Sequence, residues 1–209
     1  MVTMVNLAFP FTGRWLTQNS PANRVPSHGT TRFATSYAID FVPVNHKDAT
    51  APIRLGSLLR PEPPQRFVGF GRPVLAPTTA TVVAVHDAQL DHAAYRGLPS
   101  VWYALTQPGR IAGGWTALAG NYVMLQDKTA IIALCHLQQG SIAVQPGQRV
   151  APGEMIGRCG NSGNSTEPHL HIQAIDTADI ERAHAVPITF DGALPRNGQI
   201  VEIHDKNAL

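Results

Sequence analysis

Apolar and polar positions along the chain repeat mostly with a period of two rather than three to four. Runs rich in Val, Ile and Tyr recur at ATVVAV (80–85), NYVMLQ (121–126), AIIALCHL (130–137), HLHIQAI (169–175) and IVEIH (200–204). β-Branched and aromatic residues in short runs of this kind predict strands. QDKT (126–129) separates two of the runs by a hairpin-sized interval. Pro146-Gly147 and Pro152-Gly153 each supply a turn, Pro by its fixed φ and Gly by tolerating positive φ. The second half therefore reads as consecutive antiparallel strands. Helix signals are scarce, and the one helix expected is ADIERAHAV (178–186), capped by Asp176 or Thr177.

Two stretches break the strand pattern. Residues 45–70 contain RPEPPQ and little periodicity, and residues 88–118 contain Trp102, Tyr103 and Trp115 among several glycines. Long irregular segments in a compact domain are usually functional. Aromatics at their tips suit the wall of a groove or a small core of their own. With no internal repeat and no linker, residues 1–209 are expected to form a single domain with core motifs at 26–44 and 71–175.

Composition narrows the function classes. A hydrophobic fraction of 44% and a charged fraction of 14% describe a folded chain. A net charge of +2 without a Lys/Arg block gives no argument for nucleic acid or an anionic membrane surface. Two cysteines, Cys135 and Cys159, are too few for a disulfide framework; one bridge is open to them, and free buried thiols are the preferred reading. No apolar run reaches the length of a transmembrane helix. The opening MVTMVNLAFPFTGRW lacks a basic n-region and does not read as a secretory signal. The compartment and the oligomeric state stay open.

Chemistry concentrates in the histidines. His169 and His171 lie two apart in a strand-like run, so alternation sends both rings to one face and Leu170 to the other. By the same alternation, Cys135 is expected to face away from any site that His136 faces. Asp40 is an isolated carboxylate in the apolar segment YAIDFV (37–42). Burying it without a cation or strong donors is costly. A catalytic zinc takes three ligands from His, Asp or Glu and leaves a position for water. The pair of histidines and the carboxylate suit such a site, although a lone H-x-H pair arises by chance and a buried Asp can simply accept backbone hydrogen bonds. His46, His86, His92, His184 and His204 read as surface or loop residues.

A larger pattern then becomes visible. GRPVLAPTTATVVAV (71–85), AGNYVMLQ (119–126), ALCHL (133–137), VQPGQRVAPGEMIGRCGNSGNST (144–166) and EPHLHIQ (167–173) follow in order over about 100 residues. Together they resemble the lysostaphin-type, LytM-like zinc metalloendopeptidases of bacteria. The resemblance implies an all-β, antiparallel two-sheet fold with an open groove, modified here by the two long insertions. It implies a zinc ion held by Asp40 and His171, with His136 and His169 as catalytic, non-ligand histidines. It further implies a peptidoglycan cross-link or stem peptide as substrate, which would place the protein outside the cytoplasm. The GNSGNST loop (160–166) is expected to line the groove.

One departure from the family pattern matters. The first histidine ligand commonly stands four residues before the aspartate, where this chain has Ser36. His28, in an S-H segment twelve residues before Asp40, is the expected replacement, and His46 is its competitor. That departure keeps a second reading open, a non-catalytic relative that binds cell-wall peptide or a partner hydrolase. A third is a metallopeptidase acting on another substrate.

Overall fold

The computed structural model describes residues 4–53, 56–106, 109 and 112–204. The strand order explains where a site can form. Thirteen strands are described: β1 (Val5–Leu7), β2 (Gly13–Gln18), β3 (Ile39–Pro43), β4 (Pro73–Leu75), β5 (Ala80–His86), β6 (Asn121–Gln126), β7 (Ile131–Leu137), β8 (Arg149–Val150), β9 (Met155–Arg158), β10 (Leu170–Ile175), β11 (Ala185–Val186), β12 (Ile188–Phe190) and β13 (Ile200–Ile203). Nine of these form one antiparallel sheet in the order β13-β2-β3-β10-β7-β6-β5-β8, with β11 added beside β10. Two short ladders, the antiparallel β4–β9 and the parallel β1–β12, complete the described sheet structure. The expected all-β, antiparallel architecture is what the chain adopts.

The period-two pattern separates two apolar layers. Ile39 and Phe41 of β3, Ile132 and Leu134 of β7, and Leu170 and Ile172 of β10 all enter the main core. Trp15 and Phe11 stack within that core at 4.3 Å, and both are fully buried. The residues between them point the other way. Ile131, Ala133 and Cys135 join Phe33, Trp115 and Ala119 in a second, smaller cluster. The site develops on that second face.

The expected helix at 178–186 does not form. Ala185 and Val186 instead pair with Ile175 and Ala174 as an added strand. Asp176 accepts from the His184 backbone N–H at 2.8 Å, closing a loop rather than starting a helix. Ladder bonds at the β10 edge satisfy the same backbone groups that a short helix end would leave unpaired. Both cysteines are buried, free thiols.

The two insertions pack on one another. Ala51 and Phe67 of the first meet Ala94 of the second in a small apolar cluster. The buried Glu62 carboxylate is held by the Arg96 guanidinium at 2.6 Å. Among the described residues the second insertion carries two helices, α1 (Leu98–Leu105) and α2 (Gly114–Ala119). Its start is tied to the sheet by Asn121, whose side chain exchanges two 2.8 Å hydrogen bonds with the Gln89 backbone.

Behind α2 the chain passes very close to the 160–166 loop. Gly120 and Gly163 both adopt positive φ, 68° and 73°, and a Cβ on Gly163 would strike the Gly120 backbone nitrogen. Neither strain nor contact can be relieved by a side-chain rotation. Gly163→Ala should therefore destabilise the protein by about 2 kcal/mol or more, read as a lowered midpoint in denaturant unfolding.

Candidate metal centre

Register places the chemistry. Asp40 on β3 lies directly across from His171 on β10, and His171 lies directly across from Cys135 on β7. Opposed residues in an antiparallel sheet project from the same face. All three therefore rise from the face opposite the main core, into a cavity of about 550 Å³.

Cys135 and His136 both line that cavity, contrary to strict alternation. The β6–β7 register slips between Asn121 and Val123, so two residues of β7 oppose one of β6. His136 takes φ 62° there, and Leu137 returns to the core. A β-bulge of this type re-aims a side chain, and here it turns the imidazole to the side already occupied by Cys135. Burial first, and the Asp40 charge second, push the Cys135 thiol far up, which keeps it protonated and inert.

His28 arrives from a loop. Ser27 pins it: its N–H donates to the Ser36 carbonyl at 3.0 Å, and its hydroxyl donates to the Thr35 carbonyl at 3.1 Å. Phe33 and Ala34 accommodate the turn with left-handed φ of 54° and 57°. One donor atom from each of His28, Asp40 and His171 lies within 4.8 Å of the others. The competing His46 is exposed and stands outside this cluster.

The hydrogen-bond partners determine which ring nitrogens carry lone pairs. The Ser27 hydroxyl is committed as a donor to Thr35, so it accepts from His28 Nδ1 at 3.0 Å. That leaves His28 Nε2 facing Asp40 Oδ2 at 3.1 Å. Gln173 donates its amide to the Phe33 carbonyl at 2.9 Å and so presents Oε1 to His171 Nε2 at 3.0 Å. His171 Nδ1 then faces Asp40 Oδ1 at 2.9 Å. Unshared pairs from two imidazoles and a carboxylate thus converge, and only protons or a cation between them make that arrangement favourable. Asn19 adds a neutral donor, its amide meeting Asp40 Oδ2 at 2.7 Å. Burial pushes the Asp40 carboxyl up, but with protons on the facing ring nitrogens the His28 charge, hydrogen bonds from His171 and His28, and the His169 charge outweigh it and hold the group well below the usual carboxylate range.

His136 and His169 sit beside this cluster, ring centroids 4.6 Å apart. His136 donates Nδ1–H to the Ser162 carbonyl at 2.9 Å, and His169 donates Nδ1–H to the Glu167 carbonyl at 2.8 Å. The Nε2 atoms of both rings are left as acceptors, with His169 Nε2 at 3.9 Å from Asp40. Burial, reinforced by the neighbouring His169 and His171, pushes His136 well below the usual imidazole range, so it is neutral near pH 7.

All five residues singled out in the sequence therefore meet in one cavity. Sequence reasoning passed over Ser27, Gln173, Ser162, Ser165 and Asn19, which orient them. Ser165 is one example: its hydroxyl donates to the Glu167 carbonyl at 2.7 Å, holding the acceptor that fixes His169. H-x-H-x-Q spacing was a usable signal for Gln173, since positions 169, 171 and 173 share a strand face. His92, read as a loop residue, is one, and its Nε2 lies 2.9 Å from the Gly163 carbonyl.

Residues 103–182 match the model of Peptidase family M23. Over that stretch the chain is M23-like, and its resemblance to lysostaphin-type, LytM-like peptidases holds. His136, His169 and His171 fall inside the matched stretch, whereas His28 and Asp40 precede it. The chain is 45% identical over 79 residues to peptidoglycan DD-endopeptidase ShyA of Vibrio cholerae, covering 37% of this chain and 18% of that protein. It is 30% identical over 81 residues to glycyl-glycine endopeptidase ALE-1 of Staphylococcus capitis, covering 38% of this chain and 22% of the relative. The aligned stretch thus spans about a fifth of those curated relatives. Among solved structures, the lysostaphin catalytic domain of Staphylococcus simulans aligns with a TM-score of 0.40 and 18% identity, over 71% of this chain and 74% of that one.

The orienting bonds make a specific prediction. Gln173→Leu and Ser27→Ala each remove the acceptor that fixes an imidazole tautomer, and if the cluster takes a metal each should lower its affinity for added zinc about tenfold or more. Chelator competition measures this directly, and thermal melting of the metal-free forms separates it from loss of fold.

Proposed function

We propose that this chain is a zinc-dependent endopeptidase that hydrolyses peptide bonds in bacterial peptidoglycan, in cross-links or stem peptides. The observation that carries the reading is the convergence of unshared pairs from His28, Asp40 and His171, with donor atoms within 4.8 Å, beside two imidazoles whose Nε2 atoms are free. Two imidazole nitrogens and one carboxylate are a donor set suited to catalytic zinc. His28, Asp40 and His171 would hold the ion. When bound, zinc would act as a Lewis acid that makes water more acidic and polarises a carbonyl.

The chain's own groups supply the rest. His136 is neutral and presents an acceptor nitrogen, so it suits the removal of a proton from water. His169 offers a second Nε2 on the same side, 3.9 Å from Asp40, suited to stabilising developing charge or returning a proton to the departing amine. In that reaction water adds to the carbonyl carbon, the C–N bond breaks, and the amine leaves with the transferred proton. The backbone carbonyls of Ser162 and Glu167 keep both rings in the required tautomer throughout. Peptidoglycan as substrate takes its support from the named activities of the two curated relatives.

The ligand and non-ligand roles separate experimentally. His171→Ala should abolish both zinc retention and activity. His169→Ala should abolish activity with zinc still bound, and His28→Ala should weaken zinc where His46→Ala does not. Metal analysis of the purified variants, with hydrolysis of purified peptidoglycan in the presence and absence of a chelator, reads both properties. A metal-free, inactive wild-type protein would favour a wall-binding relative.

A further inference from the structure

Helix α1 is amphipathic in an inverted sense. Leu98, Val101, Trp102 and Leu105 recur at the spacing that puts four side chains on one helix face. That face is solvent-exposed: their exposures are 68%, 60%, 73% and 68%. The inward side is taken by Tyr103, whose ring stacks on Tyr95 at 4.4 Å and whose hydroxyl donates to the Gly163 carbonyl at 3.0 Å. Leu58 and Leu59 of the first insertion are also exposed, and the Leu58 carbonyl accepts from the Leu98 N–H at 3.0 Å. Two segments far apart in sequence thus build one continuous apolar surface, beyond the scattered exposed leucines of an ordinary protein surface.

The charge around this surface has one sign. Of the described charged residues in 51–66 and 90–118, Arg60, Arg66, Arg96, Glu62 and Asp91, the two exposed ones are both arginines, Arg60 and Arg66. Both acids are consumed internally. Glu62 is buried against Arg96 and Arg66, and Asp91 accepts from the Asn161 and Gln139 backbone N–H groups. Arg60 is exposed and makes no ion pair among the described residues. Two copies docking through this same face would bring like charges together, which argues against a dimer.

We propose that the outward face of α1, with Leu58, Leu59 and Arg60, docks on an anionic lipid surface. Leucines and a tryptophan enter the headgroup region while arginine meets lipid phosphates, the arrangement of an interfacial amphipathic helix. No described helix is long and apolar enough to cross a membrane, so the contact is peripheral. Because Tyr103 lines the site cavity from the opposite side of α1, docking holds that cavity beside the surface.

The test needs neither metal nor activity. The chain is mixed with vesicles of phosphatidylcholine alone, or of phosphatidylcholine with phosphatidylglycerol, and bound protein is measured by sedimentation. Trp15 and Trp115 are buried and Trp102 is exposed, so a blue shift in tryptophan emission reports entry of Trp102 into lipid. Binding to the anionic vesicles with a blue shift, weakened by added salt, supports the proposal. The double substitution Leu98→Gln with Leu105→Gln should lower partition at least about tenfold, and Arg60→Gln should lower it on anionic vesicles alone. All these positions are exposed, so folding is preserved. No sedimentation with anionic vesicles overturns the proposal, as does equal binding to both compositions. Concentration-dependent self-association without vesicle binding, relieved by the leucine substitutions, overturns it in favour of a protein interface.

Discussion

Everything at the candidate centre depends on one carboxylate held on the less apolar face of a sheet. Asp40 is 5% exposed and is surrounded by His28, His171 and Asn19 within hydrogen-bond distance. A buried charge is tolerated only where its partners offset lost hydration. Those partners come from the residue that follows β2, a loop and β10, so the segments are bound together through a single side chain. A cation bound there would couple its binding to local folding in one equilibrium.

The rings around that carboxylate are oriented by acceptors of two kinds. Backbone carbonyls at Ser162 and Glu167 set His136 and His169, and these carbonyls belong to a loop tied down by close glycine contact. Side chains set the other two, Ser27 for His28 and Gln173 for His171. Ser27 explains how a histidine twelve residues from Asp40 in sequence reaches its carboxylate. Three of its hydrogen bonds, two made by its own N–H and hydroxyl and one accepted from His28, close the intervening loop and leave the ring little freedom. Gln173 links that loop back to β10 through Phe33.

The insertions give the molecule an asymmetric exterior. They share a small apolar cluster and a buried ion pair, which fix their mutual position. One side of α1 meets the loop that orients His136, and the other presents leucines, a valine and a tryptophan to solvent. A conformational change on the outer side of α1 would be felt at Gly163 through one hydrogen bond. The exposed apolar face and the cavity thus lie on opposite sides of one short helix.

Local pattern determined much of this protein. Period-two runs located β5, β6, β7, β10 and β13, and placed His169 and His171 on one face, because side-chain alternation is a property of an extended backbone alone. The ordered motifs from Gly71 to Gln173 carried the family resemblance and pointed to His136, His169 and His171, while Asp40 and His28 were picked out upstream, in YAIDF and PSHG. Tertiary structure decided the rest. The bulge that turns His136 toward Cys135, the pairing of Ala185–Val186 as a short added strand, and the loop that returns His28 to Asp40 all arise from backbone hydrogen bonds whose partners the local pattern does not name. Such bonds leave no periodic trace in sequence, because every residue carries the same N–H and C=O groups and only the fold determines which of them meet.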